Sequence, residues 1–372
     1  LNLQTLLHAA LGACLLAASL ASPAQILIGQ TAGFTGPVAA GVKETTAGAQ
    51  MVIDAINAEG GINGQRIELV SLDDAFDPKR AAENARQLIV ERQVLSLFLT
   101  RGTPHAQAIM PLLTQHGVPL VGPSTGAMVL HEPVHPWIFN VRATYQREAE
   151  RAVAHLALIG VTRIGVIHVD DSFGADLLTG ARRGFAAAKL EPAFVATFDR
   201  AKPDFSTVLP AAVRANPQAL LFVGSGNVVA EGVAALRVRG VTAQVVTFSN
   251  NASAGFVKSL GAHAQGVIVA QVFPSERSMS TAFVKEAAAL AAAKGDLALS
   301  PAVLEGFAAA KVLVAGLRRA GNPATREGLQ KALNGMSRFD LGGIEVGYSP
   351  RDHTGLDFVD LSIIGASGKF MR

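Results

Sequence analysis

The chain has 372 residues, of which 49% are apolar and 16% charged, with a formal charge of +3 and a single cysteine. That length exceeds one ordinary hydrophobic core and fits two domains plus a short removable segment. The composition excludes a disordered chain, and the absence of any dense Lys/Arg run excludes a nucleic-acid-binding stripe.

From the N-terminus, Leu6 to Leu20 form an apolar stretch interrupted by His8, too short to span a bilayer comfortably. Ala21-Ser22-Pro23-Ala24 follows, and its small residues at Ser22 and Ala24 suit signal-peptidase cleavage before Gln25. A signal peptide over 1–24 is therefore expected, although no Lys or Arg precedes the apolar run. Cys14 lies inside it, and the apolar Leu15 to Leu20 that follow argue against a lipoprotein anchor there. Cleavage after Ala24 leaves a chain with no cysteine, hence no disulfide and no thiol chemistry. The longest later apolar run, Ser300 to Ala320, carries Glu305, Lys311 and Arg318, so a soluble mature protein is expected.

Beyond the leader, strands and helices alternate. Ile26 to Gly29 reads as a buried strand, and Lys43 to Ala58 as a helix whose Ala47, Met51, Ala55 and Ala58 share a face. Gly60-Gly61-Ile62-Asn63-Gly64-Gln65 is turn chemistry. A strand over 66–72, a helix over 78–91 opened by Asp77, a strand over 94–100, a helix over 104–116 and a strand over 118–122 complete the first run. A second run has helices over 146–159, 173–189, 205–215 and 228–240 and strands over 163–169, 193–198, 219–223 and 244–248. Such alternation predicts parallel sheets covered on both faces, that is, two doubly wound α/β lobes. Helices over 281–294, 301–319 and 325–333 follow, then a short β tail from 343 to 364. That ending fits a return to the first lobe better than a third domain. The expected lobes are 25–144 with 274–348, and 145–273 with 349–372.

Several local sequences carry a resemblance. They are Gly36-Pro37-Val38-Ala39 after the first strand, and Ile53, Asn57 and Gly60-Gly61-Ile62-Asn63-Gly64 before the second. Asp73-Asp74 and Asp77-Pro78 come after it, followed by Gly122-Pro123-Ser124-Thr125, Phe173-Gly174 and Asp204-Phe205-Ser206. In this order the set resembles the bacterial leucine/isoleucine/valine-binding family of periplasmic proteins, from about Ile26 to the C-terminus. The resemblance implies a type I periplasmic binding fold: two Rossmann-like lobes joined by three crossovers, with the ligand in the cleft between them. It implies a non-enzymatic, monomeric, extracytoplasmic solute-binding component of a branched-chain or hydrophobic amino-acid-type ABC importer, in the periplasm. Its partners would be a small carboxylate ligand, an amino acid or related acid, and the ABC permease subunits. No cofactor, metal or nucleic acid is expected. Crossovers are expected near 142–148, 272–275 and 348–354.

The residues themselves point to the same cleft, because ligands of open parallel sheets dock where strands end and helices begin. Thr100-Arg101-Gly102-Thr103-Pro104 is such a junction, with Thr103 read as the helix cap, Pro104 as its first residue, and His105 beside the exposed amides. The positive end of that helix favours a carboxylate, and Arg101 could hold one in two parallel hydrogen bonds. The resemblance implies a ligand-carboxylate hydroxyl at Thr103, with Ser124, Thr125 and Gly126 alongside. Across the cleft the candidates are Phe173 at a helix start, Ser225 and Asn227 after one strand, and Ser249 and Asn250 after the next. Two departures from the family stand out. Amino-acid binders of this type usually place a carboxylate near 249/250 for the ligand ammonium, where this chain offers Ser and Asn, and an often aromatic position is Gly41. Both leave room for a keto acid or an aromatic carboxylate. Asp170 or Asp171 would have to supply the missing charge for an amino acid.

Two catalytic patterns match by letter. His131-Glu132-Pro133-Val134-His135 fits the zinc-binding H-E-x-x-H, but Pro133 and Pro136 deny it the continuous helix it requires. Gly122-Pro123-Ser124-Thr125-Gly126 fits a nucleophile elbow, which leaves a serine hydrolase using Ser124 as an alternative. A ligand sensor feeding a receptor is the other.

Overall fold

The computed structural model describes residues 25–295 and 297–371. The expected signal peptide and Cys14 lie outside them. In chain order the first half contains β1 (Ile26–Ala32), α1 (Ala39–Ala58), β2 (Ile67–Asp73), α2 (Pro78–Arg86), β3 (Ser96–Phe98), α3 (Thr103–His116), β4 (Leu120–Val121) and β5 (Ile138–Phe139). Then come α4 (Tyr145–Leu158), β6 (Ile164–Val169), α5 (Ser172–Ala188), β7 (Phe194–Phe198), α6 (Val208–Ala215), β8 (Ala219–Val223), α7 (Asn227–Val238) and β9 (Gln244–Thr247). The chain ends with α8 (Ala254–Leu260), β10 (Ile268–Gln271), α9 (Ala282–Ala293), α10 (Pro301–Leu317), α11 (Arg326–Asn334), β11 (Phe339–Asp340), β12 (Glu345–Val346), β13 (Asp360–Ile364) and β14 (Phe370–Met371).

These elements build a type I periplasmic binding fold of two α/β halves. The first sheet runs β2-β1-β3-β4-β5, parallel throughout, with Ile28 opposite both Leu69 and Ser96. The second runs β14-β13-β10-β9-β8-β6-β7. Its last two strands are antiparallel, Ile268 lying opposite Ile363. The β tail therefore divides: Val346 of β12 packs in the first core, whereas β13 and β14, within the 349–372 segment, join the second sheet, which corrects a return of the whole tail to the first lobe. The reason is local, since β10 ends the parallel run with an open edge that β13 covers.

Local chemistry sets the helix starts. The Asp77 carboxylate accepts the Lys79 amide at 2.8 Å, with Pro78 at the first position, where a missing N–H costs nothing. Thr144 and Asp171 cap α4 and α5 in the same way. Every residue of α10 except Lys311 is buried, so this helix runs through the middle of the first core rather than over its surface. It meets α1 at two glycines: Gly48 faces the Val303 backbone and Gly306 the Thr45 backbone, and neither site has room for a Cβ. The first core also takes in Phe139, Phe283, Phe307, Leu329 and Leu333, so α9 to α11 pack against the first sheet. The second core is built around Val166, Leu177, Phe185, Leu220, Phe222 and Val245. Each such side chain taken fully from water contributes roughly 1.5–3 kcal/mol.

The chain passes between the sheets three times: from β5 to β6, from β10 to α9, and from β12 to β13. Two of these passages are bonded together. The Asn140 amide donates to the His353 carbonyl at 3.0 Å, the Leu356 amide to Val141 at 3.0 Å, and the Tyr348 hydroxyl to the Asn140 carbonyl at 2.6 Å.

Candidate functional site

In the first sheet the strand order reverses between β1 and β3, and in the second between β6 and β8. At such switch points the turns leaving the strands diverge and open a crevice. Here the two crevices face each other and touch. The Asn227 amide donates to the Pro37 carbonyl at 3.1 Å, and the Arg101 guanidinium donates to the Asn250 carbonyl. The Arg200 guanidinium lies 4.8 Å from the Phe76 ring centre. Two small spaces remain between the halves. One, water-sized, lies between Phe76, Val169, Arg200 and Ser225. The other, smaller still, lies between Val38, Gly41, Arg101, Asn227, Asn250 and Phe256.

Residues 100–103 and 124–125 come together as one wall. Arg101 and Ser124 form a parallel bridge, Arg101 Nη1 lies 3.5 Å from Ser124 Oγ, and the Thr103 and Thr125 hydroxyls share a hydrogen bond of 2.8 Å. Thr103 is not the helix cap. Gly102 takes that place with φ of 99°, a conformation that disfavours a side chain, and a Cβ there would stand 2.6 Å from His105 Nδ1. Thr103 is thus the first helical residue, and its hydroxyl turns sideways to Thr125 instead of back onto its own helix. Pro104 is half-buried. His105 is fully buried and stacks on Phe76 with ring centres 4.6 Å apart; burial, then the nearby Arg200 charge, pull its pKa down to about 4. Gly126 faces the passage between the sheets, its carbonyl accepting the Tyr145 amide at 2.8 Å.

On the opposite wall Asn250 Nδ2 donates to the Gly224 carbonyl at 2.9 Å and to Ser225 Oγ at 3.2 Å, so Ser225, Asn227 and Asn250 line the cleft together. Phe173 instead belongs to the second core and packs edge-on against Tyr145 at 4.9 Å. Asp171 does not reach the cleft as a free charge: it caps α5 and pairs with Arg200. Gly41 does border the cleft, where a Cβ would lie 3.9 Å from Arg101 Nη1.

Sequence reasoning missed a buried ionic cluster behind these walls. Arg142 pairs with Glu148 and bonds Ser249 Oγ, while the Glu148 carboxylate accepts the Ser249 amide at 2.9 Å and its hydroxyl at 2.7 Å. Ser249 therefore does have a carboxylate beside it, from a helix a hundred residues earlier in the chain. Glu305, from the buried α10, accepts the Ser124 hydroxyl at 2.8 Å and lies 4.0 Å from Arg142 Nη1. Burial works against the Arg142 charge, but Tyr145, Glu148 and Glu305 outweigh it and hold its pKa above the ordinary value. Glu305 left one signal in the sequence: a lone acid in an otherwise apolar helix. A second unforeseen contact is Glu44 on α1, which accepts the Ala254 and Gly255 amides of the other half at 3.0 and 2.7 Å and the Ser300 hydroxyl at 2.6 Å.

Neither catalytic pattern is assembled. The 131–135 stretch follows a short 3-10 turn, Met128–Leu130, and no helix runs through it. No cluster of metal-ligating side chains occurs among the described residues. The Ser124 hydroxyl is engaged by Glu305 and Arg101 rather than by a histidine. No described helix is long and apolar enough to cross a membrane.

The chain is similar to known proteins along nearly its whole length. It is 26% identical over 344 residues to Leu/Ile/Val-binding protein homolog 3 of Brucella melitensis, covering 90% of this chain and 89% of that protein. Against the Leu/Ile/Val-binding protein of Escherichia coli K12 it is 24% identical over 334 residues, with 87% and 89% covered. A substrate-binding periplasmic protein from Ralstonia solanacearum superposes with a TM-score of 0.87 at 31% identity, covering 93% of this chain and 99% of that one. The family model for periplasmic binding proteins matches residues 25–358, and with the two-sheet architecture and facing crevices already described, this chain belongs to that family.

Proposed function

We propose that the chain is the extracytoplasmic solute-binding component of an ABC importer, capturing a small carboxylate-bearing solute between its halves and handing it to the permease subunits. The observation that carries this reading is the Arg101 junction. A buried guanidinium, with the hydroxyls of Ser124, Thr103 and Thr125 around it, stands at the switch point of the first sheet and reaches the Asn250 carbonyl of the second. A carboxylate is the group such a donor set selects. The relatives named Leu/Ile/Val-binding protein support a solute-binding role, the match to the periplasmic binding protein family supports a place outside the cytoplasmic membrane, and the leader expected over 1–24 would export the chain there.

The proposed moving bodies are 25–144 with 274–348, and 145–273 with 349–372. Ligand docks on one wall, and the other then rotates onto it and displaces water, adding contacts that the open form lacks. The two cleft spaces hold little more than a water molecule, far below the range of about 300–1,000 Å³ usual for ligand sites, so entry requires the walls to part.

A thermal-shift panel of branched-chain amino acids, their 2-oxo acids and aromatic carboxylates tests this. A ligand at 100 times its Kd adds about 2.7 kcal/mol of stability. A carboxylate compound should shift the melt while its amide does not; equal shifts from acid and amide would remove the case for the Arg101 wall. Ester turnover that disappears in Ser124→Ala would replace the binding reading with a hydrolase.

A further inference from the structure

The charge balance inside the cleft goes one step further, resting on the carboxylate reading above. Arg101 is 5% exposed, and no carboxylate oxygen lies within 4.0 Å of its guanidinium among the described residues. Its partners are neutral: the Asn250 carbonyl and the Ser124 hydroxyl. A buried cation bonded only to neutral dipoles, with the Glu305 charge acting on it from behind Ser124, is costly, and an anion that arrives from outside relieves it.

The acids around it are all engaged. Glu148 is held by Arg142 and by both the amide and the hydroxyl of Ser249. Glu305 is held by the Ser124 hydroxyl and faces Arg142 at 4.0 Å. Asp171 is bound by Arg200 and two amides of α5, and Glu44 by two amides and the Ser300 hydroxyl. Two unpartnered atoms near Arg101 are of a different kind. Arg142 Nη1 is a buried donor without a hydrogen bond, and Asn250 Oδ1 is a buried neutral acceptor without one. The cleft thus offers an entering molecule the Arg101 guanidinium and a neutral oxygen, and no carboxylate lines either of its two spaces. It offers no spare carboxylate for an ammonium.

We infer that the ligand is a net anion, a carboxylate without an α-ammonium group such as a 2-oxo or 2-hydroxy acid or an arene carboxylate, with Arg101 as its counter-ion and Asn250 Oδ1 free for a neutral donor. A zwitterionic amino acid would bring its ammonium into the same space beside Arg101 and find only the amide oxygen. Val38, Gly41 and Phe256 line the same space as Arg101, so when the walls part the apolar part of the ligand would lie against them.

The test uses isothermal titration of the processed chain with matched pairs differing only at Cα: 4-methyl-2-oxopentanoate against leucine, phenylpyruvate against phenylalanine, with benzoate as a third probe. At least one acid without an ammonium should bind, and more tightly than the corresponding amino acid by on the order of 100-fold. Arg101→Gln should abolish that binding while Arg101→Lys retains part of it. Apo melting curves establish that both variants fold. Amino acids binding as tightly as or more tightly than their oxo-acid partners would overturn the inference and leave the solute-binding role standing. Undiminished binding in folded Arg101→Gln would also overturn it. Failure of every carboxylate to bind would overturn the carboxylate reading itself.

Discussion

The two walls of the cleft are built on the same plan, yet they differ in what they present. The first places a guanidinium and three hydroxyls on turns that follow β3 and β4. The second presents amide side chains and carbonyls after β8 and β9, and its own ionic group, Glu148 with Arg142, sits behind Ser249 rather than in front of it. One half thus turns a charge toward the cleft, and the other turns neutral dipoles toward it. A doubly wound sheet positions turns, and the residues on those turns decide what each half presents.

That contrast can be broken most severely from behind the second wall. Glu148→Ala strands Arg142 in the interior without its main partner, and chemical denaturation should show a loss of roughly 3–5 kcal/mol. If the loss is small, the second wall does not depend on its buried pair.

Acid distinguishes the halves next. His105, behind the first wall, has a pKa lowered from 6.5 to about 4, so below pH 6.5 the unfolded chain takes a proton that the folded chain refuses. Its contribution is complete above pH 6.5 and lost as pH falls toward 4, about 3 kcal/mol in all. His131, also lowered to about 4, acts with the same sign. Asp74, raised from 3.8 to about 6, acts in the opposite sense, because the folded chain takes its proton first. His105→Phe should therefore flatten the acid limb of a stability-versus-pH curve between 6.5 and 4; an unchanged limb would mean that His105 is not held neutral.

A smaller effect concerns the joint between the halves. Glu44→Gln weakens the contacts to the Ala254 and Gly255 amides, each about 1.5 kcal/mol as a charged acceptor. The unliganded protein should open, read as a larger radius of gyration in X-ray scattering, with little change in the melting of either core. The smallest change is Thr103→Val, which leaves the Thr125 hydroxyl without its partner and should cost about 1 kcal/mol in stability.

Much of the architecture was legible because strand–helix alternation survives without any tertiary information. Asp77 and Pro78 announced α2, and the apolar run of β8 was bounded correctly at both ends. The omissions share a physical cause. β5 is only two residues long, and β10 is four buried residues with no alternation, so neither carries a period to read. α8, seven residues long, is too short to show a face. At the site, Arg101 and Asn250, on turns at strand ends, border one cleft space and Ser124 lies against Arg101, whereas Phe173 at a helix start turns inward to Tyr145. The Arg142–Glu148–Glu305 cluster was not legible. Glu305 meets Ser124 across 181 positions, and only the folded first core brings them together. Thr103 shows the same limit in miniature: a good capping residue was displaced from that role by a glycine whose backbone geometry no propensity encodes.

The Glu44 contact has a further consequence, because it ties α1 of one half to the start of α8 of the other without using the Arg101 wall. Holding strength there raises the fraction of empty molecules already shut, and a shut population subtracts from the work the cargo must do on arrival. Tightening this joint would thus sharpen apparent affinity while making loaded and vacant molecules harder to tell apart from outside.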